Sequence, residues 1–79
     1  MNPERGRMNA SVGERLAAAN ALLDEARKLV TVQEQEVARI RAAGLNANRA
    51  QGLLEAYRVS LRLAEKEKAE VEEAIAVQR

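Results

Sequence analysis

The chain contains no cysteine, no histidine, no tryptophan and no phenylalanine. Without cysteine there is no disulfide and no thiolate metal site, and the absence fits a reducing compartment. Without histidine the commonest general base and the commonest transition-metal ligand are missing. Tyr57 is the single aromatic residue, so no large ring anchors a globular core. No stretch approaches the ~20 consecutive apolar residues that a spanning helix needs, and Met1–Asn9 lacks a hydrophobic signal region. Charge of one sign is also lacking: 13 Lys and Arg against 12 Asp and Glu leave a net charge of +1. That balance argues against strong attraction to nucleic acid or to an anionic membrane. The expectation is a non-enzymatic cytoplasmic protein with no metal and no cofactor.

Breakers are scarce as well, and their placement organises the chain. There is one proline, Pro3, and between Gly13 and Gly52 the only Gly or Pro is Gly44. Long helical patterns run into Ala42-Ala43-Gly44-Leu45-Asn46-Ala47-Asn48 and out of it. Glycine takes the left-handed conformation that closes a helix without a Cβ clash. Asn46 is a good N-cap for a following helix, and Leu45 could pack on Ala50 as a hydrophobic staple. A stop at Gly44, a link at Leu45 and a start at Asn46 predict a chain reversal.

Upstream, Met1–Ala10 reads as a disordered arm with little to bury, and either Met1 or Met8 could be the initiator. Ser11-Val12-Gly13-Glu14 has the S-x-x-E form of a capping box. The expected organisation is therefore an arm at 1–10, a first helix at about 11–43, a turn at 44–46 and a second helix at about 47–78.

Both helices carry a heptad. Val12, Leu16, Ala19, Leu23, Ala26, Val30, Gln33, Val37 and Ile40 alternate spacings of four and three, which keeps one stripe facing one partner. The second helix repeats this with Ala50, Leu54, Tyr57, Leu61, Ala64, Lys68, Val71, Ile75 and Gln78. Folded about residue 45, the stripes match: Val37 meets Leu54, Gln33 meets Tyr57, Val30 meets Leu61, Ala19 meets Val71 and Leu16 meets Ile75. Gln33 and Tyr57 read either as a polar pair that selects register or as a tyrosine whose hydroxyl simply reaches water, and Lys68 is expected to lay its stem on apolar surface. Gly52 is expected to let backbones approach near the turn. Asp24, Lys28, Gln35 and Arg39 read as a solvated face, and Lys66–Glu70 and Lys68–Glu72 as exposed i,i+4 pairs.

Leu22, Leu29, Leu53 and Leu63 fall beside the seam, so a lone hairpin leaves them exposed. Chains this short rarely stabilise themselves on one core. The fold class is thus all-α: an antiparallel, coiled-coil-like hairpin, dimerising into a four-helix bundle. These leucines are the expected self-association or partner surface, the partner being a second copy or another helical protein.

Gln33, Val37, Ile40, Gly44-Leu45-Asn46, Ala50, Leu53-Leu54, Tyr57 and Ser60-Leu61 together resemble a pattern in short uncharacterised helical-hairpin proteins of rhizobia-like alpha-proteobacteria. The resemblance covers about residues 33–64. Those proteins often have Gly-His-Asp at the turn and Phe at the aromatic position, where this chain has Leu45 and Tyr57. The resemblance implies a bacterial helical hairpin and carries no activity.

Two further constellations are charged. Arg39, Arg41, Arg49 and Arg58 lie near the turn, among Glu34, Glu36 and Glu55. They are a candidate anion-binding tip, and with it a small nucleic-acid-binding regulator is the alternative function. No aromatic residues interleave them for base stacking. Glu70 and Glu73 lie about one turn apart, but catalysis or metal binding would require a cleft and further ligands.

Overall fold

The structure, a computed structural model, describes the backbone of residues 3–77 and the side chains of residues 12–77. It consists of two helices, α1 (Pro3–Ala42) and α2 (Asn48–Val77), packed against each other as a hairpin. The molecule measures 65 × 19 × 13 Å. Its length is that of α1, since 40 residues at ~1.5 Å per residue make about 60 Å.

The helices stop and restart through specific bonds at the turn. Gly44 adopts φ +73°, the left-handed conformation. Its N–H donates to the Arg41 carbonyl at 2.9 Å, and the Leu45 N–H donates to the Ile40 carbonyl at 3.1 Å. These two bonds define a Schellman motif and satisfy carbonyls that a helix end leaves open. On the far side the Asn46 side chain accepts the Asn48 N–H at 2.8 Å. The first helical backbone bond of α2 is Gln51 N–H to the Ala47 carbonyl, 2.7 Å. Asn46 therefore caps from one position before the helix proper, because Ala47, which occupies the cap position, has no side-chain acceptor. The expected staple does not form as drawn. Leu45 is exposed, and Ala47 is buried in its place beside Val37 and Leu54.

Every seam position expected from the heptad is buried or half-buried, from Val12 to Ile40 in α1 and from Ala50 to Ile75 in α2; Gln78 lies outside the described residues. Val30, Val37, Ala47 and Leu54 form a buried cluster, with Ile40, Ala50, Tyr57 and Leu61 packed against it. The flanking pairs fix the register. Arg58 reaches Glu34 at 3.4 Å and Arg41 reaches Gln51 at 3.2 Å. Both pairs sit beside Val37–Leu54 and Gln33–Tyr57, the seam pairs that a fold about residue 45 sets opposite each other.

Three expectations are corrected. α1 starts at Pro3 rather than Ser11, so the expected arm is helical from Pro3 onward, and Met1 and Asn2 lie outside the described residues. Proline suits the first helical position, where its missing N–H would have no partner in any case. The Ser11–Glu14 box consequently falls inside the helix. Gln33 does not pair with Tyr57. It is 8% exposed, and its Nε2 donates to the Ala50 carbonyl at 2.9 Å, one heptad nearer the turn. Neither Lys66–Glu70 nor Lys68–Glu72 closes to an ion pair among the described residues.

Gly52 offers no close approach either. No atom lies within 4 Å of where its Cβ would stand, and its φ is not positive. Gly52→Ala should accordingly stabilise the hairpin by about 0.5–1 kcal/mol, since alanine loses less backbone freedom in a helix. Thermal unfolding should show a melting temperature several degrees higher. An unchanged or lowered value would mean the helix is not formed at this position.

Candidate functional site

The residue immediately before a seam position faces to one side of a coiled pair. Leu22, Leu29 and Leu53 all have this placement, preceding Leu23, Val30 and Leu54. In an antiparallel pair these flanks of the two helices fall on the same side of the molecule. The structure brings Leu22, Leu29 and Leu63 into one groove of about 570 Å³, with Glu25, Ser60 and Glu67 at its edges. Leu53 is seven residues before Ser60 on the same stripe, about 10 Å toward the turn. Exposure is 60% for Leu22, 37% for Leu29, 44% for Leu53 and 61% for Leu63. Single exposed leucines are unremarkable, but Leu22, Leu29 and Leu63 share one groove.

Near the turn, the opposite side of the seam is polar and its side chains bond to one another. Arg58 Nη1 meets Glu55 at 3.0 Å, and its Nη2 meets Glu34 of α1. Gln51 accepts from Arg41 through Oε1 and donates to Glu55 at 2.9 Å. The hairpin therefore has leucines on one flank of the seam and, near the turn, a charge network on the other.

That network changes the reading of the arginine tip. Arg39 holds Glu36 by two hydrogen bonds, one of them Nε to Oε2 at 3.1 Å. Arg41 and Arg58 are engaged as described. Among the described residues only Arg49, of the four, makes no hydrogen bond or ion pair. Glu70 and Glu73 are exposed, and no group of three potential metal ligands occurs among the described residues. No helix among the described residues is long and apolar enough to cross a membrane.

One ionisable pair is shifted. The Arg39 hydrogen bonds, assisted by its positive charge, hold the Glu36 carboxyl below the usual glutamate range, and the Arg39 guanidinium is raised in turn. A depressed folded-state value stabilises the helix above the ordinary carboxylate range, and that contribution is lost as pH falls through the depressed value. Both groups are solvent-exposed, so screening keeps the contribution small. Arg39→Gln should move the Glu36 titration midpoint upward in carbon-detected NMR. A midpoint that does not move would show that the pair is not formed in solution.

Gln33 and its acceptor are the feature that sequence reasoning located only halfway. The residue was legible as a polar break in the seam, but a main-chain acceptor leaves no mark in the sequence. Comparison with protein families, with curated proteins and with solved structures finds no match to this chain.

Proposed function

We propose that this chain is a non-enzymatic, cytoplasmic structural or protein–protein interaction module whose working form is a homodimer. Two hairpins pack leucine face to leucine face and make a four-helix bundle. The observation that carries this reading is the uncovered patch of Leu22, Leu29, Leu53 and Leu63. The partners that three of the four tip arginines already have within the chain favour this reading over nucleic-acid binding.

The test is a substitution on the face itself. Leu29→Asp with Leu63→Asp places charge on residues that the hairpin seam does not use. Sedimentation equilibrium should show the mass falling from a dimer toward 8.7 kDa, or the helices unfolding as the partner is lost. A variant that stays a folded dimer would overturn the assignment of the leucine face.

A further inference from the structure

The leucine face is not electrically uniform along its length. By their heptad places Arg39 and Arg49 flank its turn end, Arg39 at the border of the solvated face. At its middle lie Leu29, Ala56, Ser60 and Leu63. Toward the open end it carries Glu25, Glu67 and Glu70, with Lys66 the one cation among the groove residues. Some of these charges are answered within the chain. Arg39 is held by Glu36, and Arg15 comes to 3.9 Å from Glu67. Arg49 at one end and Glu70 at the other are answered by nothing among the described residues.

We propose, building on the homodimer reading above, that the second copy docks tip to tail. The two-fold axis lies in the plane of the leucine face, crosses the long axis of the hairpin, and passes at the level of Val59 and Ser60. Such an axis lays α2 antiparallel on α2 of the other copy. Residues equally far from the axis then meet. Arg49 is ten residues before Val59, and Glu70 is ten after Ser60, so each Arg49 faces the other copy's Glu70. Ala56 is three residues before Val59 and Leu63 three after Ser60, so each Leu63 packs over the small Ala56 of the other copy. One axis position thus pairs Arg49 with Glu70 and matches the shape of the centre. The other two-fold arrangement, tip beside tip, sets Arg39 and Arg49 of both copies at one end and the glutamates of both at the other. Like charges across an interface oppose association, so charge pattern chooses the tip-to-tail arrangement.

The orientation is read directly by a distance at the turn. Leu45 is exposed, and because the chain has no native cysteine, Leu45→Cys takes a single spin label. Leu45 stands 15 residues from Ser60, so tip-to-tail docking separates the two labels by about 45 Å at ~1.5 Å per residue. Pulsed electron–electron resonance should give that separation. A separation below about 25 Å would overturn the orientation and leave the homodimer standing. A labelled chain with the mass of a monomer and no intermolecular distance would overturn the homodimer reading and this proposal with it. Charge exchange supplies a second readout. Arg49→Glu should raise the dimer dissociation constant several-fold, as should Glu70→Arg, and the two together should restore it. Failure of the double variant to recover would overturn the Arg49–Glu70 pairing.

Discussion

Gln33→Glu is expected to destabilise the hairpin by about 3 kcal/mol or more at pH 7, and to regain most of that in acid. In the native protein the Gln33 Nε2 donates to the Ala50 carbonyl from a site that is nearly closed to water. A carboxylate at this position has no proton to donate, so two acceptors face each other and a charge is buried without a partner. Leaving a buried polar group unsatisfied costs about 1–3 kcal/mol, and more when it is charged. Protonation cures both faults, because a neutral carboxyl can donate its O–H to the same carbonyl. The folded-state pKa of the new Glu must therefore lie above its unfolded value of about 4.3. By linkage the penalty is absent below the unfolded value and grows as pH rises through the folded one. Urea unfolding at pH 4 and pH 7 checks this. A penalty that is small, or equal at the two pH values, would show that Gln33 does not reach the Ala50 carbonyl.

Gly44→Val is expected to cost about 1–2 kcal/mol per chain, or to rebuild the molecule. Gly44 sits at φ +73°, where a β-branched residue is a genuine outlier. The cost lies in the backbone alone, because no atom stands within 4 Å of the Cβ position. A lost Schellman turn leaves α1 free to continue into α2. Helical content then barely changes, so circular dichroism is a poor reporter. Labels at Val12 and Val77 discriminate better. They are close together in the hairpin and about 100 Å apart in one continuous helix at ~1.5 Å per residue. An extended form would pair with a second chain by domain exchange. A variant as stable and as folded-back as the wild type would show that the turn does not depend on the left-handed residue.

The seam was legible in the sequence because its information is periodic. Spacings of four and three from Val12 to Ile40, and again from Ala50 to Ile75, mark one face of each helix. Gly44 says where the chain reverses, and these together determine which residues meet. The exposed status of Leu22, Leu29, Leu53 and Leu63 followed from the same periodicity. What stayed hidden depends on distances across the seam or on the main chain. Gln33 found a carbonyl that Ala50 leaves reachable one heptad away, rather than the side chain directly opposite. By its place near the turn Arg58 reads as part of an anion site, whereas Glu34 of the other helix lies within its reach. Gly52 is the instructive miss: it stands opposite the seam, so its own place in the heptad already pointed it away from α1. The start at Pro3 was masked by Gly6 and by the apparent box at Ser11, although proline in the first turn is itself a start signal.

The pairing of two hairpins through the leucine face is tested most directly by the mass of the unmodified chain in solution. Light scattering on the eluting peak at micromolar concentration should give about twice the 8.7 kDa chain mass, with the helices intact. A stably folded 8.7 kDa monomer across that concentration range would contradict the account, because Leu22, Leu29, Leu53 and Leu63 would then have no second copy to cover them.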